Sequence, residues 1–384
     1  MKLATTLWVE AVQTLLRVLP FPTRTGLVRI GHPGRDAPVL LTGNFRLTVE
    51  RVKRALRGLD AYLLVANSRG VNVWCAATGG LLTHHDVISV IKTSGIEGRV
   101  DHRRIILPQL AATGIEAAVV HRRTGWKVLW GPVEAREIPA YLRLGCQATP
   151  GMRRVGFPWP RRLEMAVAWA FPISLLTLPL LPFWKDGVPV LAALIWGLAL
   201  LIFLLFPVYE RFLHTTGRSR GFVFFDLGRN GLPLLLGWAA VLGGIACAAW
   251  VGALSTAAAL RWGLGSLVLL MLLALDLTGS TPVYKSGLHD DRLLAIRLDP
   301  ERCRGAGFCE EVCPKGVFAM PPERRRVLLQ APEACVQCGA CIVQCPFDAL
   351  CFERPDGALV PPEVLRSTRL NLLGKRSASG ERIA

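Results

Sequence analysis

The sequence predicts a multi-domain chain. A Rossmann-like α/β domain is expected over residues 1–150, a basic linker over 151–163, a helical transmembrane domain over 164–278 and a small cysteine-rich α+β domain over 279–384. Three observations predict this. Short apolar runs alternate with helix-like segments near the N-terminus, which is the pattern of a mostly parallel sheet. Four long apolar runs come next, each close to the ~20 residues that a membrane span requires. Eight of the eleven cysteines then fall between Cys303 and Cys351.

Composition narrows the function classes. Apolar residues make up 52% of the 384 residues, and mean hydropathy is +0.38. Both values are high for a soluble protein and point to membrane segments. A net charge of +17 raises nucleic acid as a partner. Zinc-finger spacing, an RNA-binding signature and a basic-aromatic repeat are all missing, so no nucleic acid is expected. The charge instead flanks apolar runs, as Arg and Lys do on the cytoplasmic side of a membrane. The opening "MKLATTLWVEAVQTLLRVLP" contains Glu10 and lacks the apolar core and cleavage site of a signal peptide.

Within 1–150, "APVLLTGN" reads as a strand ending in a Gly-Asn loop. Thr48 is expected to cap a helix whose apolar residues Val49, Val52, Leu56 and Leu59 follow helical spacing. "DAYLLVAN" reads as a buried strand bounded by the turn signal Asn67-Ser68-Arg69-Gly70, and "VNVWCA" as another. Thr83 and Asp86 have capping-box spacing ahead of "VISVIK". "RIILPQL" and "EAAVVHR" are further strand candidates. Ligands of such sheets bind at the carboxyl ends of strands, where Cys75 is expected.

The apolar runs are Met165 to Trp184, Val188 to Tyr209, Leu232 to Leu254, and about Ala257 to Leu277, which contains Arg261. Arg153, Arg154, Arg161 and Arg162 precede the first run. Arg211, Arg218, Arg220 and Arg229 lie between the second and third, and Lys285, Arg292 and Arg297 follow the fourth. The short Lys185-Asp186 loop is neutral. Positive-inside counting therefore predicts a multi-pass protein of the cytoplasmic (inner) membrane with both flanking domains in the cytoplasm.

The cysteine-rich end carries a complete iron-sulfur motif: Cys335-x2-Cys338-x2-Cys341-x3-Cys345-Pro346. A second motif, Cys303-x5-Cys309-x3-Cys313-Pro314, precedes it. Paired motifs of this kind exchange their fourth cysteines. Cys335, Cys338, Cys341 and Cys313 are thus expected to hold one 4Fe–4S cluster. Cys303, Cys309 and Cys345 are expected to hold the other, with Ala306 where a fourth cysteine is usual. Three thiolates suit a 3Fe–4S cluster, or a 4Fe–4S cluster with an open or foreign fourth ligand. Structural zinc rarely shows two such Cys-Pro motifs. Thiolate clusters place this end in a reducing compartment. Cys146, Cys247 and Cys351 read as apolar filler.

"APVLLTGNFRLT", "VNVWCAA", "HRRIILPQL" and the spans resemble the mercury-methylation corrinoid proteins (HgcA-like). The stretch from "DLTGSTPVYKSGLHDDR" through both cysteine motifs looks like their dicluster ferredoxin partner (HgcB-like), fused in one chain. More distantly, the first domain is similar to the corrinoid domain of the iron-sulfur protein of the acetyl-CoA pathway. The resemblance implies a membrane-anchored corrinoid-dependent methyltransferase whose ferredoxin module reduces cobalt from Co(II) to Co(I). A cobalamin-type corrinoid would take a methyl group from a donor protein, a methylfolate-linked one in this reading. It would pass that group to an acceptor, Hg(II) in the family. A low-potential electron donor would supply the clusters. Cys75 would be the lower axial ligand to cobalt. Asn72, Trp74 and Ala76 would line its site, with Thr42 and Asn44 bonding the corrinoid's side-chain amides. Small residues around Cys75, namely Ala76, Ala77, Gly79 and Gly80, would leave room for the macrocycle. His84 and His85 are expected to be solvated.

Three departures from the family stand out. Thr78 and Gly79 replace a glycine and a lysine, Ala306 replaces a cluster cysteine, and "NLLGKRSASGERIA" lacks the family's terminal cysteine pair. The other readings are a membrane ferredoxin that only carries electrons, and methyl transfer to a non-mercury acceptor.

Overall fold

The computed structural model describes residues 11–17, 19–210, 232–274, 294–321, 323, 326–370 and 376–378. It separates into two compact units. One comprises Pro20–Val155 with Gly279–Ala384, and the other Met1–Leu19 with Gly156–Thr278.

The first unit contains a five-stranded sheet. Its strands are β1 (Gly26–Ile30), β2 (Val39–Gly43), β3 (Ala61–Ala66), β4 (Arg104–Pro108) and β5 (Lys127–Gly131), in the order β1-β3-β2-β4-β5. β2, β3, β4 and β5 run parallel, and β1 pairs antiparallel with β3 at the edge. β2 and β3 are buried along their whole length, as parallel strands covered on both faces must be. The chain leaves β2 toward β3 on one side and then crosses to β4 on the other. That reversal opens a crevice at the carboxyl ends of β2 and β4.

The helices correct parts of the sequence reading. Helix α1 (Arg46–Ala55) starts after Phe45, so Thr48 lies inside it and is not its cap. "VNVWCA" is not a strand: Val73–Thr78 forms helix α2, with Asn72 as its N-cap. Helix α3 (His84–Thr93) begins with the expected capping box, Asp86 accepting from both the Thr83 N–H and its hydroxyl. "EAAVVHR" is also helical, within α4 (Ala117–Thr124). Helix α5 (Ile138–Arg143) and the short α6 (Pro150–Arg153) follow β5.

The cysteine-rich part belongs to the same unit. Strands β6 (Ala295–Leu298), β9 (Leu350–Glu353) and β10 (Leu359–Val360) form an antiparallel sheet in the order β10-β9-β6, beside a β7–β8 hairpin (Phe318–Ala319, Leu328–Leu329). Two short helices, α7 (Phe308–Val312) and α8 (Ala340–Gln344), each start after a left-handed glycine, Gly307 and Gly339. Helix α9 (Pro362–Ser367) comes last, leading into strand β11 (Thr368–Leu370), which pairs with β12 (Arg376–Ala378).

One apolar core runs through both parts. Leu64, Leu82, Leu107 and Ile115 of the α/β fold belong to the same buried cluster as Val312, Ile342 and Phe352. Val155 N–H donates to the Pro314 carbonyl at 2.8 Å. The linker arginines take part as well. A Cβ on Gly316 would meet Arg154 Nε at 2.8 Å, so the bare glycine lets that guanidinium lie against the loop after Cys313.

The second unit is helical. Among the described residues three helices are long and apolar enough to cross a membrane: Trp159–Leu180, Gly187–Leu204 and Thr256–Leu273. A shorter apolar helix spans Leu235–Trp250. Arg162 donates from its Nη1 to the Leu204 carbonyl, and Trp184 stacks on Trp262 with ring centroids 5.3 Å apart. Arg211, Arg218, Arg220, Arg229, Lys285, Arg292, Glu10 and the "NLLGK" stretch lie outside the described residues.

Gly114 marks the tightest approach between a loop and α2. A Cβ there would meet the carbonyls of Ala77 at 2.4 Å and Leu82 at 2.7 Å. Both obstacles are backbone and cannot rotate away. Gly114→Ala is therefore expected to destabilise the first unit by about 1–3 kcal/mol, the usual cost of overpacking. Denaturant unfolding measures this, and an unchanged midpoint would mean that the loop stands off from α2.

Candidate functional site

Cys75 lies in the first turn of α2, which follows the loop leaving the carboxyl end of β3. Asn72 makes two hydrogen bonds to this one residue. Its Oδ1 accepts from the Cys75 N–H at 2.9 Å, and its Nδ2 donates to Cys75 Sγ at 3.3 Å. The first bond caps the helix, satisfying one of the amides that a helix start leaves open. The second orients the sulfur. Cys75 is half-buried, so part of its side chain faces outward. Trp74 is only 5% exposed and anchors the turn in the fold.

Ala76 and Ala77 correct the expected picture. Both are fully buried, so the space their small side chains leave lies inside the core and not on the open face around Cys75. Asn44 is also buried, and its Oδ1 already accepts from Ser68 N–H, Ser68 Oγ and Gly70 N–H at 2.9–3.1 Å. Its Nδ2 donates to the Thr23 carbonyl at 3.2 Å. Asn44 thus locks the β2 and β3 loops together. Thr42 is different: its Oγ1 is buried without a hydrogen-bond partner, at the carboxyl end of β2. Gln109 Oε1 and Thr113 Oγ1, just beyond β4, are in the same condition, and the sequence reading missed both.

His84 is not solvated. Its Nδ1 is buried and stands 3.6 Å from Glu116 Oε1, too far for a hydrogen bond. Burial lowers its pKa below the ordinary value, and the nearby Glu116 only partly offsets this. His85 is exposed, with its ring centroid 4.3 Å from that of His84. Arg369, arriving from the far end of the chain, lies close by: a Cβ on the left-handed Gly80 would meet its Cγ at 2.8 Å.

The cysteine motifs form two groups. Cys341 has Cys338, Cys335 and Cys313 as its main sulfur neighbours, with Cys309 a weaker one. Cys309 has Cys345 and Cys303. Cys313 therefore sits with the second motif and Cys345 with the first. Backbone amides point at three of the sulfurs at 3.4 Å: Val317 at Cys313, Gln337 at Cys335 and Ala349 at Cys345. The two loops repeat one another, with Gly305 matching Gln337 and Gly307 matching Gly339 in left-handed backbone. Ala306 thus occupies the place of Cys338. A partly open pocket is lined by Cys303, Cys309, Cys345, Ala306 and Phe347, among others.

This donor set fits iron-sulfur clusters. Soft thiols line the pocket, and amides face the sulfurs as they would face iron-bound thiolates. Among the described residues no group of three or more His, Cys, Asp or Glu closes around a single metal ion. Cys351, in β9, is half-buried and points at neither group. Cys146 is half-buried beside the second core cluster, and Cys247 is exposed on its helix, so it does not fill a core.

Glu311 and Gln344 join the module to the α/β fold. Burial raises the Glu311 pKa, with Arg153, Lys127 and the Trp130 N–H pulling the other way. Gln344 Nε2 donates to the carbonyls of Ala112 at 2.8 Å and Ile115 at 2.6 Å, and its Oε1 accepts from the Ala117 N–H at 3.3 Å.

Comparison with known proteins gives two matches. Residues 6–142 match the family described as CO dehydrogenase/acetyl-CoA synthase delta subunit. Residues 302–349 match the 4Fe-4S dicluster domain. The chain carries one domain of each kind. Curated relatives of the first domain are gamma subunits of the acetyl-CoA decarbonylase/synthase complex. The protein from Archaeoglobus fulgidus is 38% identical over 125 residues, 32% of this chain and 26% of that protein. The Methanopyrus kandleri protein is 37% identical over 125 residues, 32% of this chain and 27% of that protein. The Methanothermobacter thermautotrophicus protein is 40% identical over 119 residues, 30% of this chain and 26% of that protein. This chain thus spans about a quarter of the length of these relatives, and the likeness is one of domain, whichever subunit name is attached.

Burial pushes the Cys309 thiol up to about 12 and raises Cys313 and Cys341 as well. Without iron these thiols keep their protons at neutral pH, whereas iron binds thiolate. Cluster assembly should therefore release protons and weaken as pH falls. Reconstitution with iron and sulfide in lightly buffered solution, followed with a pH indicator, measures the release beyond the protons that the incorporated sulfide itself gives up. Assembly with no release beyond that share would mean that the thiols are already ionised in the fold.

Proposed function

We propose that the protein is a membrane-anchored corrinoid-dependent methyltransferase that draws electrons from its own ferredoxin module. The observation that carries this reading is the Asn72–Cys75 pair: a partly buried cysteine whose sulfur is held by a side-chain amide, beyond the carboxyl end of a strand, in a domain that matches the CO dehydrogenase/acetyl-CoA synthase delta subunit family. A bound corrinoid would supply a cobalt centre able to carry a methyl group. The protein groups present suit such a ligand. Cys75 offers a soft donor, and Thr42 Oγ1 is a buried oxygen still lacking a partner.

The protein's own contribution follows from the geometry. Cys75 would hold the cobalt through its thiolate. The Asn72 amide would fix the direction of the sulfur and, by donating to it, moderate how much charge it gives to cobalt. The packed Trp74 side chain would keep the turn rigid. A one-electron supply from clusters in the same compact unit needs no diffusing partner. The first cluster, with three thiolates around the Ala306 pocket, would be 3Fe–4S or a 4Fe–4S cluster with a foreign fourth ligand. An external low-potential donor would recharge the clusters, and a methyl-donor protein would visit the Cys75 face.

Hg(II) is the acceptor in the family that the sequence resembles. A second reading, transfer to another acceptor, draws support from residues 352–384, which contain no cysteine able to hand over a soft metal ion. Membrane anchoring draws support from the apolar exterior of the helical unit, where Leu176, Phe183 and Trp250 are 78%, 89% and 88% exposed.

Two measurements test these readings. The protein purified without oxygen should hold stoichiometric cobalt as corrinoid, and Cys75→Ala should change its visible spectrum. A folded parent that keeps its clusters and takes up no supplied corrinoid would leave only an electron carrier. The native chain should sediment with membranes and need detergent for release. Recovery in the soluble fraction without detergent would remove the anchor from the proposal.

A further inference from the structure

Gln344 sits between two cluster cysteines, Cys341 and Cys345, yet its side chain turns away from both groups. It is buried, and its amide is spent on three backbone groups of the segment Ala112–Ala117, more than 220 residues away in sequence. Ala112 and Ile115 are themselves fully buried. A buried amide is costly unless its hydrogen bonds are made, and so are the carbonyls it serves. The segment's backbone bonding is thus completed by a side chain from the ferredoxin module.

The same segment underlies the Cys75 helix. Gly114, at its centre, leaves space for the Ala77 carbonyl of α2. A second thread runs in parallel. Arg366 donates to the carbonyl of Cys345 at 3.2 Å and pairs with Asp348, and three residues on, the stem of Arg369 lies against Gly80 beyond α2. Both threads begin at Cys345 or its neighbour and end on the helix or loop that carries Cys75.

We propose that Gln344 is a positioning residue that holds the ferredoxin module in one fixed register on the Cys75-bearing domain, so that electrons cross a permanently docked face. The corrinoid reading enters only in naming what receives the electron. In each crossing one electron leaves a reduced cluster, which is oxidised by one, and the acceptor beside Cys75 is reduced by one. A low-potential external donor then restores the cluster. A tethered module that met the site by collision would need no satisfied buried amide at the contact.

The test uses the full-length protein with its clusters intact. In Gln344→Ala, hydrogen exchange of the 112–117 amides should speed up roughly tenfold, the scale set by losing a buried hydrogen-bond partner. Iron content should hold, and electron passage from reduced clusters to supplied corrinoid should slow. Ala117→Pro guards against misfolding of the ferredoxin loop. It removes only the N–H that Gln344 accepts, at the first position of α4, where proline is tolerated. It should loosen 340–345 in the same assay, by less. Unchanged exchange in both variants would overturn the proposal. Faster exchange in the variants, together with a parent that binds no corrinoid, would uphold the docking and overturn the methyltransferase reading.

Discussion

The structure of the first unit depends on a constraint that buried polar groups impose. Two folds of different origin share one apolar core, and every amide trapped between them needs a partner. Apolar burial drives such contact without direction. Direction comes from the few polar groups that cannot be buried alone. Gln344 fits only one arrangement of the Ala112–Ala117 backbone. Glu311 works similarly beside Arg153 and the Trp130 N–H, at a point where an unpaired carboxylate would be costly. The register of the two folds therefore rests on a handful of hydrogen bonds, while their adhesion rests on the core.

The Cys75 helix solves a related problem on the opposite scale. A ligand sulfur has to face outward, while its backbone stays rigid. A strand end would leave the residue on a loop. A short helix pinned by Asn72 at its start and by buried Val73, Trp74, Ala76 and Ala77 along its inner side holds the sulfur on a stiff support. A helix of six residues has little stability of its own, so packing supplies it. That is why the small residues after Cys75 matter. Ala76 and Ala77, both fully buried, let the helix lie close to the sheet and to Gly114.

Several of these features could be read from the sequence, for identifiable reasons. The cysteine groups were legible because ligand spacing is a local constraint, and Ala306 stood out against it. β2, β3 and β4 were legible as apolar runs ending in turn residues. "VNVWCA" was misread because a six-residue segment, apolar but for Asn72, has no period long enough to separate strand from helix. The deciding signal was Asn72 three residues before Cys75, an N-cap spacing overlooked beside an apolar run. "EAAVVHR" failed in the same way: its four apolar positions suit either element, and the Gly125 that ends the helix in left-handed backbone was not weighed. His84 looked solvated because the charges beside it, Glu116 and Arg369, are both distant in sequence. Gln344 was beyond sequence reasoning altogether, since a glutamine between cluster cysteines gives no hint of where its amide points.

Fusion and docking make different contributions. Joining two modules by a flexible linker raises the effective concentration of one at the other to the millimolar range. Residues 151–163 were expected as a basic linker from the α/β domain to the first apolar run. Within that stretch Arg153, Arg154 and Val155 lie along the contact with the cysteine-rich part, through the Gln109–Arg153 and Val155–Pro314 hydrogen bonds and the Arg154–Gly316 approach. Its basic residues then have two uses: those up to Arg154 meet the ferredoxin module, and Arg161 and Arg162 begin the first apolar helix, where Arg161 pairs with Glu164. The charge that positive-inside counting assigns wholly to the membrane is thus divided between an intramolecular interface and a helix start.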